Sequence, residues 1–171
     1  PYRQVDGQAS APPATDIRLV FYPDYRSTNH YQRLLYEHVG ASVPVEPGTI
    51  QHAIKLIEEK RSVVVFHMHW TSVVVGIGGT QDDVQRRVAG FLSAVDRFIA
   101  LGGRLFWTIH NRLSHETPFP HIEAELYRQL VRRAAAVHVH SARVPALMAD
   151  TVQIPPEKLL VAAHGNYIGC F

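Results

Sequence analysis

The stretch Arg104-Leu105-Phe106-Trp107-Thr108-Ile109-His110-Asn111 decides how the rest of the chain is read. Its apolar run has the length and bulk of a buried strand, and it stops abruptly in two residues that both donate and accept hydrogen bonds. A buried strand that delivers polar groups at its carboxyl end is the usual ligand-facing arrangement of an open α/β sheet. Four other runs end the same way. Phe21-Tyr22-Pro23 closes on Asp24, and Val63 to Phe66 runs into His67-Met68-His69-Trp70. Val137-His138-Val139 closes on His140-Ser141, and Leu159 to Ala163 on His164-Gly165-Asn166. Five such ends point to one functional rim.

Between these runs the chain reads as helices. Ser27, Thr28 or Asn29 can cap a segment with Tyr31, Leu34, Leu35 and Val39 at helical spacing, and Gly40 ends it. Val43 to Val45 carries Pro44, which suits a sheet edge. Gly48-Thr49 opens a helix with Ile50, Ala53, Ile54 and Ile57 inward. Ser62 to Phe66 is a β-branched run without alternation, expected to be buried on both faces. The segment from Thr71 to Thr80 is ambiguous, because Val73-Val74-Val75 suits a strand while Gly76, Gly78 and Gly79 suit a turn. Asp82 to Leu101 is a long amphipathic helix stopped by Gly102-Gly103. Pro120 sits well at a helix N-terminus, Ser141 is placed to cap a short helix, and Pro155-Pro156 interrupts the chain before the last strand.

Strands alternating with helices in this order imply a parallel sheet joined by right-handed crossovers, a Rossmann-like doubly wound α/β domain. We place it at residues 16–171, behind a Pro- and Ala-rich arm at 1–15 that has no periodicity. A chain of 171 residues suits one core. The net charge of +2 is mild, and no Lys/Arg block or interleaved aromatic stripe suggests nucleic acid. Cys170 is the single cysteine, which excludes an internal disulfide framework. No apolar run reaches the roughly 18 residues of a spanning helix. A cytoplasmic protein with room for a peripheral membrane contact is the expectation. The apolar end at Tyr167 to Phe171 suggests a cut at a domain boundary.

Chemistry concentrates on imidazoles. His67 and His69 leave one face of a strand, which would suit a metal pair completed by His110, His115 or Asp24. No carboxylate flanks them, so no metal and no cofactor is expected. Gly76-Ile77-Gly78-Gly79 lacks the spacing of a phosphate loop. His110-Asn111 with His115-Glu116 is the better candidate: imidazole can orient or protonate a hydroxyl, and Asn offers both hydrogen-bond senses. His138 reads as a satisfied core histidine, and His30, His38 and His52 as surface residues. No nucleophile elbow is present.

Taken together, "HMHW", a long helix ending in Gly-Gly, "LFWTIHN" followed by "HE", "VHVHS" and "LLVAAHGNY" resemble the N-terminal domain of bacterial retaining glycosyltransferases of the two-domain GT-B architecture, family 4, including exopolysaccharide sugar transferases. The resemblance spans roughly residues 17–169. It implies an acceptor-binding domain that works beside a separate donor domain, moving a sugar from a nucleotide-sugar to a sugar or lipid-linked acceptor hydroxyl. By match to "WTIHN", it implies that His110 is the catalytic cleft histidine. His67, His69 and Trp70 would line the acceptor side, and His164-Gly165-Asn166 resembles the stretch leading into the interdomain linker. Beside these, Asn111, His115, Glu116, Gly165 and Asn166 are candidate substrate-binding positions. Two departures stand out. Pro23-Asp24-Tyr25-Arg26-Ser27 replaces the glycine-rich loop of many members, and the donor-binding half is missing from the sequence. Two other readings remain open: a metal-dependent hydrolase using His67, His69 and His110, and a non-catalytic module binding a sugar or anion at the same rim.

Overall fold

The structure is a computed structural model that describes residues 16–40, 42–60, 62–114 and 117–165. The arm at 1–15, His115, Glu116, Asn166 and Cys170 lie outside the described residues. In chain order the elements are β1 (Ile17–Tyr22), α1 (His30–Val39), β2 (Val45–Pro47), α2 (Ile50–Lys60), β3 (Val63–Met68), α3 (Ser72–Val75), α4 (Gln81–Ala100), β4 (Arg104–Ile109), α5 (Pro120–Arg133), β5 (Ala136–Val139), α6 (Val144–Met148) and, after a 3-10 turn at Pro156–Lys158, β6 (Leu159–Val161).

The six strands form one sheet in the order β2-β1-β3-β4-β5-β6, and every pair is parallel. This is the doubly wound α/β arrangement expected from the alternation of elements. The step from β1 to β2 runs opposite to all later steps. Right-handed crossovers therefore put α1 on one face and the later helices on the other. Side chains agree with this. Tyr36 of α1 stacks on Phe21 at 4.4 Å. Val20, Val64, Phe66, Leu105 and Trp107, which point the other way from their strands, form one apolar cluster with Ile54 of α2, Val95 of α4 and Leu126 of α5.

Local sequence explains the boundaries. Asn29 accepts a hydrogen bond from the Tyr31 amide at 2.9 Å and starts α1. Thr80 and Asp83 form a reciprocal capping box at the start of α4. Gly103 is required where α4 turns into β4, because a Cβ there would come within 2.3 Å of the Phe98 ring.

Several expectations need correction. Val73-Val74-Val75 forms the one-turn helix α3, since that conformation buries Val74 and Val75. Gly76 ends it with φ +68°. The edge strand β2 is shifted to Val45–Pro47. β3 is longer than expected and includes His67, while Val63 and Val65 are only half-buried because α1 alone covers their face. Ser141 does not cap α6: its hydroxyl takes the Arg143 amide at 3.2 Å, one residue before the helix.

Candidate functional site

The strand-to-helix connections of an open sheet leave a crevice where neighbouring strands send their chains in opposite directions. Here that point lies between β1 and β3. Their carboxyl ends are tied by the His69 amide, which donates to the Tyr22 carbonyl at 2.8 Å. The loop after β1 is held from beneath by Gln32, which is fully buried. Its amide donates to the Pro23 carbonyl and its oxygen accepts from the Tyr25 amide, both at 2.7 Å.

Beside this crevice the imidazoles gather on the α1 face. Alternation along each strand sends His67 and His69, Thr108 and His110, and His138 and His140 to the same side of the sheet. Tyr31, buried in α1, is ringed by His69, His110, His140 and His164 at centroid distances of 6.0, 5.0, 5.2 and 4.9 Å. Trp70 lies flat against His110, 4.1 Å away at 13°. The Tyr36 hydroxyl bridges His67 Nδ1 and His69 Nε2, 2.7 Å from each. His67 Nε2 lies 2.8 Å from Thr108 Oγ1, which lies 3.1 Å from His138 Nδ1. His69 Nδ1 lies 3.1 Å from His110 Nε2. Both ring nitrogens of His140 are buried and make no hydrogen bond.

No carboxylate among the described residues is a partner of His67, His69 or His110, so no opposite charge offsets the cost of charging them. Burial, reinforced by neighbouring rings, holds His67 and His110 down at about 3. The same causes push His69 far below the ordinary imidazole range. Burial and the His138 and His164 rings also lower His140; the Ala162 backbone opposes this weakly without meeting hydrogen-bond geometry. Burial raises the Tyr36 phenol well above its usual value. His67, His69, His110 and His140 are therefore neutral at pH 7, hydrogen-bonding groups rather than a patch of charge.

The structure thus brings His67, His69, Trp70 and His110 together, as expected from the sequence. Asn111 and Trp70 line a cleft of about 240 Å³ with Ser72, Gly76 and Ser114. Gly165 and His164 line another of about 280 Å³ with Tyr31 and His138. A larger hollow, about 570 Å³, lies between α5 and the α6–β6 connection and holds none of these residues. Asp24 stays outside the cluster, bound twice by Arg26 at 2.9 Å. His138 is satisfied as expected, but it is half-buried on the α1 face rather than in the core. His52 pairs with Glu46 at 3.2 Å and is part-exposed. Among the described residues no group of three or more His, Cys, Asp or Glu side chains is arranged to hold a metal ion.

Sequence reasoning missed Tyr36, Thr108, Gln32 and Glu123. Glu123 is fully buried, accepting from Thr71 Oγ1 at 2.6 Å and from the Ser114 amide and hydroxyl at 3.0 and 2.5 Å. It locks the loops after β3 and β4 together under the rim. Strand alternation puts Thr108 on the same face as His110, but its bond to His67 depends on strand order, and nothing local in the sequence marks Tyr36.

No protein-family model, curated protein or solved structure matches the chain. Among the described residues, no helix is long and apolar enough to cross a membrane.

Proposed function

We propose that this chain is the acceptor-side domain of a GT-B glycosyltransferase of the retaining, family 4 type. It would present a sugar or lipid-linked acceptor to a nucleotide-sugar held mainly by a second domain. The work would take place on the cytoplasmic side, in polysaccharide or glycoconjugate synthesis. The observation that carries the reading is the convergence of His69, His110, His140 and His164 around Tyr31, with His67 against His69, next to the β1/β3 crevice. The neutral rings of His69, His110 and His140, flanked by Trp70 and Asn111, suit a ligand made of hydroxyls and apolar ring faces.

The hydrolase alternative fits less well. A metal site needs nitrogens that converge on one ion, whereas those of His67 and His69 are committed to Tyr36, Thr108 and His110.

The test is a transfer assay on the protein made from its native reading frame, with radiolabelled nucleotide-sugars and polyprenyl-phosphate-linked or oligosaccharide acceptors. Label reaching an acceptor supports the reading; release of free sugar without acceptor transfer would contradict it. The 171-residue chain alone should transfer nothing and bind nucleotide-sugars only at about millimolar Kd. Micromolar binding measured by calorimetry would overturn the division of labour between domains.

A further inference from the structure

The contacts around Tyr36 form one continuous series from the Ala162 carbonyl to His110. A carbonyl can only accept, so His138 Nε2, 3.0 Å from it, must carry a proton and donate. With that proton as the ring's only one, His138 Nδ1 is bare and accepts from the Thr108 hydroxyl. That hydroxyl has one proton, now used, so its oxygen accepts from His67 Nε2–H. His67 Nδ1 is then bare and accepts from the Tyr36 hydroxyl. By the same logic the Tyr36 oxygen accepts from His69 Nε2–H, and bare His69 Nδ1 accepts from His110 Nε2–H. Every donor and acceptor along the way is used once and in one direction.

We propose that this relay fixes His110 as its Nε2–H tautomer, so that Nδ1 presents a lone pair that accepts a hydrogen bond from a hydroxyl of an uncharged sugar unit, with Tyr36 and Thr108 as positioning residues. The depressed basicity of His67 and His110 keeps those two rings neutral at pH 7. A bare nitrogen repels the lone pairs of a fully ionised phosphate and attracts an O–H, so the group recognised at His110 is a hydroxyl rather than an anion. Its identity as part of a transferring or accepting sugar rests on the proposed function. If the ring belongs to the transferring sugar, its hydroxyls become better donors as the ring gains oxocarbenium character. The bond to Nδ1 then strengthens in the transition state, as selective stabilisation requires.

Long-range proton–nitrogen correlation spectra of the ¹⁵N-labelled chain at pH 7 test this without any activity assay. The expected result is a protonated Nε2 and bare Nδ1 on His67, His69, His110 and His138. An Nδ1–H or doubly protonated His110 would overturn the relay. Tyr36→Phe and the near-isosteric Thr108→Val each cut the series, and His110 should then become a mixture of tautomers. If Tyr36→Phe fails to fold, Thr108→Val carries the test, and a single unchanged His110 tautomer in it would overturn the proposal. Methyl α-D-glucopyranoside at high concentration should shift the bare His110 Nδ1 resonance, and inorganic sulfate, which has no O–H to donate at pH 7, should not. No shift with the glucoside, or a shift with sulfate, would overturn the ligand assignment. Correct tautomers without sugar transfer in the native protein would remove the glycosyltransferase reading and leave the relay standing.

Discussion

The two faces of the sheet are built from alternate residues of the same strands, yet they obey different rules. Val64, Phe66 and Met68 of β3, with Leu105, Trp107 and Ile109 of β4, face α2, α4 and α5 and are shielded from water. Their neighbours His67, Thr108 and His138 face α1 and are joined by directed hydrogen bonds through Tyr36. One face gains stability from area removed from water, which is tolerant of exact geometry. The other depends on every donor meeting an acceptor, where a single lost partner leaves a buried group unsatisfied. Packing by α2 to α6 on one side and by α1 on the other leaves the polar face the one open to a ligand.

Acid should separate the faces most strongly. His67 and His110 are held at about 3 when folded, against 6.5 in the unfolded chain. Between those values the unfolded state binds more protons. Stability is therefore full above about pH 6.5 and falls as pH drops through the window, by about 1.4 kcal/mol per pH unit for each such ring. Urea midpoints measured from pH 7 to 4 should fall steeply; a flat profile would show that the rings are not kept neutral.

Trp107→Ala opens the apolar face. The ring is 1 % exposed and meets Tyr127 edge-on at 4.7 Å. A loss of about 3–5 kcal/mol in urea unfolding is expected, with an acid profile of unchanged slope. Tyr36→Phe does the opposite. It keeps the stack on Phe21 but strands a bare nitrogen on His67 and an N–H on His69, costing about 1–3 kcal/mol. A neutral result would mean that water replaces the phenol.

Adjacent valines give the finest comparison. Val64→Thr puts a hydroxyl into the apolar core at a fully buried site, where it should cost about 1–3 kcal/mol. Val65→Thr puts the same group on the half-buried α1 face and should stay within about 0.5 kcal/mol. Equal costs would mean that the two faces are sealed alike.

The strands and long helices were legible because apolar runs and capping residues act locally. The amphipathic run of α4 stopped by Gly102-Gly103 and the β-branched core of β3 are examples. α3 was not, because tertiary burial of Val74 and Val75 outweighs the strand preference of three valines. The rim histidines were legible from their strand ends. The residues that organise them were not: Tyr36 and Thr108 sit inside regular elements, 31 and 41 positions from their partner His67. Glu123 was hidden in the same way within the first turn of α5, 52 positions from Thr71. Pairings at such separations depend on strand order, which a single sequence does not display.

The account stands most directly on His110. Its ring is held by His69 and Trp70 and carries little of the core. In the native-frame protein, His110→Ala should lower the turnover of sugar transfer by about 10²–10³, while the thermal midpoint and nucleotide affinity stay close to those of the parent. Near-normal turnover, or unfolding of the domain, would contradict the claim that this strand end is the working edge of the polar face.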